Sequence, residues 1–185
     1  MKKLAVLTMT VLFTFGVIQI QAQVNGQEQA NVSKKELKSE HKALRKLEGN
    51  NVSQFAKTSF YTEFGNLPDV QWRRDANFDI ASFTENGQKM EAFYDYDANL
   101  VGTTAIKSFA DLPARAQKEI KSRYTDYSIG QVLFFDDNEW NETDMIMYGS
   151  QFNDADNYFV ELSKGNDKIV VRVDVPGYVY YFTKL

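Results

Sequence analysis

A helix followed by a run of short strands is written twice along this chain, and that duplication limits the folds open to it. In the first copy VSQFAKTSFYTEFG (52–65) places Ala56, Phe60 and Phe64 at i, i+4 and i+8, with Ser53 as N-cap and Gly65 as stop. Past the Leu67-Pro68 turn come strand candidates at 70–74, 78–85, 89–97 and 100–109. Asn86-Gly87 marks one hairpin and Asp97-Ala98-Asn99 a second tight turn. The second copy opens with LPARAQKEIKSRY (112–124), in which Leu112, Ala116, Ile120 and Tyr124 repeat the helical spacing. Asp111 is its expected cap, with Pro113 in the first turn. Strand candidates follow at 129–135, 144–149, 157–163, 168–175 and 178–182. A shift of 77 residues lays KMEAFYDYD, ending at Asp97, over DKIVVRVD, ending at Asp174. Helix first and meander after predicts an α+β fold, a tandem repeat of a helix packed on an antiparallel four-stranded sheet. The helices cover one face and leave the other open to water.

Composition narrows the chemistry. The 185 residues hold no Cys and one His, which removes disulfides, thiol nucleophiles and multi-His metal cages. A formal charge of -4 argues against nucleic acid as a partner. Lys2 and Lys3 precede an apolar stretch from Leu4 to Ile18, and Ile20 and Ala22 stand at the -3 and -1 positions of a cut after Ala22. Residues 1–22 are therefore expected to be a cleaved signal peptide, sending the chain to the periplasm or beyond, with no membrane association afterwards. Residues 23–51 form a polar leader, helical or disordered. His41 lies in it, as a solvated residue on a charged helix rather than a ligand. The domain proper runs over 52–185, with repeat one at 52–109 and repeat two at 111–185.

Strand alternation divides the side chains between faces. Met90, Ala92, Tyr94 and Tyr96 share one side of their strand, and Glu91, Phe93 and Asp95 the other. In the repeat, Ile169, Val171 and Val173 oppose Val170, Arg172 and Asp174. The charged sides are expected to be wet. This places Phe93, Phe159 and Val170 toward solvent beside Arg172, with Tyr181 assignable to neither face, and Trp140 at the tip of the acidic run DDNEWNETD (136–144). Those six residues, Phe93, Trp140, Phe159, Val170, Arg172 and Tyr181, are the candidate partner-binding set. The run DYDAN (95–99) begins like a calcium loop, but Leu100 and Ile106 replace the Gly and Glu that such a loop needs. Solvated turns explain the acidic segments better than a metal. A carboxylate pair such as Glu91 and Asp95 is a weak basis for a hydrolase.

FGNLPDVQW (64–72), FYDYDANLVGT (93–103), DLPARAQKEIKSRYTDYSI (111–129) and YFVELSKGNDKIVVRVDVPG (158–177) resemble the PepSY-like, beta-lactamase-inhibitor-like proteins exported by Bacteroidetes. The resemblance implies the fold of beta-lactamase inhibitory protein, with a concave protein-binding sheet face, and a role beside an extracellular enzyme such as a protease. The chain departs from that protein in lacking cysteines and in an apparent insertion at 136–144. None of the inhibitor's binding residues maps onto a motif here. The expected function is an exported, non-enzymatic module without a cofactor, docking a protein or peptide on its sheet face. The alternative is a small-ligand or calcium-dependent periplasmic binding protein using the acidic loops.

Overall fold

The computed structural model describes residues 51–153 and 155–185, together with Ser39, Ala43, Lys46, Leu47 and Gly49. The expected signal peptide, His41 and almost all of the expected leader lie outside the described residues. Helix α1 (Gln54–Phe64) starts at Ser53, whose Oγ accepts the Phe55 N–H at 3.1 Å. Gly65 ends it at φ 75°, a conformation an L side chain resists. Strands β1 (Gln71–Arg74), β2 (Asp79–Glu85), β3 (Gln88–Tyr94) and β4 (Leu100–Lys107) follow as a meander. A 3₁₀ turn (Phe109–Asp111) leads to α2 (Ala114–Arg123), then β5 (Ser128–Asp137), a β6–β7 hairpin (Met145–Met147 and Ser150–Phe152), β8 (Asn157–Lys164), β9 (Asp167–Asp174) and β10 (Val179–Lys184).

Two details depart from expectation. Asp111 does not cap α2. Its carboxylate accepts the Ser108 N–H and hydroxyl at 2.7 and 2.8 Å, closing the 3₁₀ turn, and Pro113 takes the cap position of α2. Those two bonds hold the Asp111 carboxyl below the usual carboxylate range. The predicted strand over 144–149 is in fact half of a hairpin that turns at Tyr148-Gly149, both at positive φ.

The two repeats do not form separate sheets. β4 pairs with β5 over six residues, from Gly102↔Asp137 to Lys107↔Val132, so that eight antiparallel strands run in the order β1-β2-β3-β4-β5-β8-β9-β10. Both helices lie on one face. α1 buries Ala56 and Phe60 against Ala81, Phe83, Ala92 and Tyr94. α2 buries Ala116 and Ile120 against Val132, Val160, Leu162, Val171 and Val173. A buried ion pair fixes the first repeat. The Asp79 carboxylate accepts Arg74 Nε at 2.5 Å, Arg74 Nη2 at 2.8 Å and the Ser53 N–H at 3.1 Å, tying the start of α1 to the sheet. Arg74 Nη1 donates to the Gly49 carbonyl at 2.9 Å.

The second face is not left open, as alternation had predicted. Phe93, Phe159 and Val170 do point away from the helices, but the β6–β7 hairpin lies over them. Phe159 and Val170 are 0 % exposed and Phe93 is 6 % exposed, so none faces solvent. The hairpin contributes Met145, Met147 and Phe152 to a cluster with Phe78, Ile80, Val101 and Phe135. Phe152 meets Phe135 edge-on at 5.2 Å and Phe159 at 4.9 Å between ring centroids. Gly102 makes room for this packing, because a Cβ there would stand 2.5 Å from Phe135 Cζ. A β-bulge between β3 and β4 sets Val101 into the same cluster.

If the hairpin is core, Phe152→Ala costs about 3–5 kcal/mol in urea unfolding, the range for truncating a buried phenylalanine. A cost under about 1 kcal/mol would mean that the hairpin merely rests on the sheet.

Candidate binding site

Where the hairpin stops, the second face remains accessible over β1 to β5. The ladder lines up Gln71, Ser82, Glu91 and Thr104 in one row and sets Ile106 opposite Leu133 beside it, with Lys89 two residues before Glu91 on the same face of β3. These residues, with Thr84, Gln131 and Met147, line a trough of about 620 Å³ between the Pro68-Asp69 bend and the hairpin. A neighbouring hollow of about 500 Å³ shares Glu91, Gln131, Leu133 and Met147 and runs on along the hairpin to Tyr148 and Glu161. Half-exposed Ile106, with Leu133 and Met147, provides apolar contact in the trough.

The polar groups of the trough are held in place by one another. Arg73 donates to Glu91 through both terminal nitrogens, at 2.6 and 3.0 Å, and to Ser82 Oγ at 3.2 Å. Ser82 in turn donates to Glu91 at 2.9 Å. The fork geometry keeps the planes of guanidinium and carboxylate aligned across β1, β2 and β3. The Glu91 hydrogen bond also holds Arg73 above its ordinary pKa. On the hairpin side, Tyr148 donates to Glu161 at 3.0 Å, and burial first and Glu161 second push its hydroxyl pKa up.

The remaining candidates are scattered. Arg172, on the same face beneath β10, stacks over Tyr180 at 5.3 Å. Tyr181 is exposed on the edge strand β10, opposite Val171, next to a bulge that turns Phe182 onto the hairpin cluster. Trp140 is 95 % exposed, on a turn at another edge of the molecule. No single surface therefore gathers the six predicted residues, and the trough residues Ile106, Thr104 and Gln131 went unselected. Gln131 shares the face of Leu133 and Phe135 by alternation along β5, which the sequence shows, whereas Thr104 and Ile106 join them only through the β4–β5 register.

A polar cleft of about 630 Å³ lies between the 95–100 turn and the 138–143 turn. Asp95 is absorbed by the fold there, accepting the Asp97 N–H at 2.8 Å, the Asn99 N–H at 2.9 Å and Asn141 Nδ2 at 3.0 Å. Glu91 and Asp95 thus serve different networks. Among the described residues no three His, Cys, Asp or Glu side chains converge as metal ligands. On the α1 side of the cleft, Glu63 accepts the hydroxyl of fully buried Tyr94 at 2.8 Å. Burial raises the Glu63 pKa, and the Tyr94 bond only partly opposes it.

Solved structures share this architecture. A BLIP-like protein of Bacteroides fragilis is 17 % identical with a TM-score of 0.55, covering 72 % of this chain and 86 % of its own. A protein of Bacteroides eggerthii provisionally described as periplasmic is 14 % identical with a TM-score of 0.59, over 72 % of this chain and 88 % of its own. A DUF2874 family protein of Bacteroides ovatus is also 14 % identical with a TM-score of 0.59, over 74 % of this chain and 89 % of its own. At such identities the likeness is one of fold, and the fold is beta-lactamase-inhibitor-like. No protein-family model matches the chain, and neither does any curated protein.

A raised carboxyl pKa in the folded state means that Glu63 favours folding while neutral and that this support is lost as pH rises through its folded pKa. Glu63→Gln, which keeps an acceptor for Tyr94, is expected to melt higher than the parent at neutral pH. The gap closes as pH falls below the ordinary glutamate range. A gap that widens toward acid would show that the Glu63 charge is favourable where it sits.

Proposed function

We propose that this chain is an exported, non-enzymatic binding module that takes a protein or peptide partner on the second face of its sheet, in the trough beside the β6–β7 hairpin. The observation that carries the reading is the pairing of half-exposed Ile106 and partly buried Leu133 with converging polar groups whose geometry is already set by the Arg73–Ser82–Glu91 network. Surfaces that bind by preorganisation combine a small apolar centre with a polar rim in this way. Export rests on the N-terminal segment and on the periplasmic description of one structural neighbour. The partner class, an envelope enzyme such as a protease restrained by this chain, rests on the family resemblance alone. The trough volume also suits a small ligand, which is the second reading.

Ile106→Glu and Gln131→Arg place charge in the trough, and Lys118→Ala on α2 serves as the control on the opposite face. Retention of a single envelope protein by the immobilised chain is expected to fall at least about tenfold for the trough variants and to stay unchanged for the control. Equal retention by all three would overturn the reading. Saturable uptake of a small molecule by the parent, with no protein retained, would favour the second.

A further inference from the structure

Trp140 stands 95 % exposed on a turn that is fixed rather than loose. Asn138 Nδ2 donates to the Leu100 carbonyl at 2.7 Å, and Asn141 Nδ2 donates to the same carbonyl and to Asp95 Oδ2, both at 3.0 Å. The Asn141 N–H closes the turn on the Asn138 carbonyl at 2.8 Å. An indole presented this way leaves a large apolar face in water while losing little freedom on contact, the combination that makes tryptophan an anchor at protein interfaces. The face borders the 630 Å³ cleft, which Glu63 of α1, Asp97 of the β3–β4 turn and Glu142 beyond the tryptophan also line. Among the described residues no Lys or Arg pairs with any of these three carboxylates, and Asp97 and Glu142 take no hydrogen bond.

The charge pattern of the chain says why. No Lys, Arg or His occurs from Tyr124 to Ser163, a stretch carrying nine Asp and Glu, nor from Met90 to Ile106, which carries three. Both turns that wall the cleft come from these cation-free stretches, so the counter-charge cannot be supplied locally. The balance of the whole region 52–185 is 13 Lys and Arg against 21 Asp and Glu. An apolar aromatic face bordered by uncompensated carboxylates is complementary to a side chain with an apolar or planar body and a positive charge. Indole is the best cation–π partner among side chains, and guanidinium both stacks on it and reaches carboxylates with its remaining donors.

We propose that the cleft docks a basic segment of a partner protein, with an arginine or lysine laid against the Trp140 indole and its charge among Glu63, Asp97 and Glu142. The segment is drawn in by the acidic field and is held by the tryptophan, so association weakens with salt while the anchor decides affinity. The cleft shares no lining residue with the trough, and either surface can fail without the other.

The test is titration of the full chain with capped hexa-arginine, hexa-lysine and hexa-glutamate peptides at low and physiological salt, followed by tryptophan emission and by calorimetry. Hexa-arginine is expected to bind more tightly than hexa-lysine, shift the emission to the blue and lose affinity with salt, while hexa-glutamate gives no response. Trp140→Ala, whose side chain supports nothing beneath it and whose melting temperature should match the parent's, weakens hexa-arginine binding about tenfold. Asp97→Asn and Glu142→Gln each weaken it about threefold, and Ile106→Ala in the trough leaves it unchanged. Undiminished binding by Trp140→Ala overturns the proposal, since it would mean diffuse attraction to an acidic surface. So would absence of binding by hexa-arginine, or an emission shift produced by a neutral oligosaccharide and not by the cationic peptides.

Discussion

A sheet with apolar side chains on both faces has to be covered on both, and this molecule is organised by that requirement. Each large side chain moved out of water contributes about 1.5–3 kcal/mol, so an exposed row holding Phe93, Phe135, Phe159 and Val170 would forgo on the order of 10 kcal/mol. The two helices cover one face and the β6–β7 hairpin covers the middle of the other. No backbone ladder joins the hairpin to the large sheet; it is held by Met145, Met147 and Phe152 against the phenylalanines below. The β4–β5 ladder makes this arrangement possible, because it turns two helix-bearing halves into one surface wide enough for a single hairpin to span residues of both.

The segment between β5 and β8 also decides where the molecule offers itself to others. Its hairpin ends at Tyr148-Gly149, and what it leaves uncovered on β1 to β5 becomes the trough. Its first residues, 138–143, are bonded to the 95–100 turn and hold Trp140 outward over the acidic cleft. One surface is mixed apolar and polar, with Glu91 paired to Arg73. The other is acidic, and among the described residues no Lys or Arg pairs with its Glu63, Asp97 or Glu142. They are physically different sites built by one departure from the repeat.

Much of the architecture was legible before any coordinate. The i, i+4, i+8 spacing located both helices because the residues midway, Thr58 and Thr62 in one and Lys118 and Ser122 in the other, are polar; a strand would put them on the apolar side, and a helix does not. Asn86-Gly87 located a hairpin because Asn and Gly tolerate the positive φ that both adopt there. The Tyr148-Gly149 turn was not legible, since tyrosine at φ 51° is a conformation its type seldom adopts and the run DMIMYG reads as unbroken strand. Strand β7 was missed with it. The cap at Asp111 failed because its carboxylate is taken by the two donors of Ser108 in the 3₁₀ turn, and Pro113 stands at the cap.

The sequence by itself determined the class of fold, the meander order of the first repeat and which residues share a face, since these depend on periods of 2 and 3.6 and on local turn chemistry. It also determined the chemistry ruled out by the absence of Cys. Whether a face is wet is a different kind of quantity. It depends on what another part of the chain lays over it, and Phe159 and Phe152 meet only through tertiary packing. Only the tertiary structure therefore decided that Phe93, Phe159 and Val170 are core, that Ile106 and Thr104 line a trough, and that Trp140 alone of the predicted aromatics stands almost wholly in water.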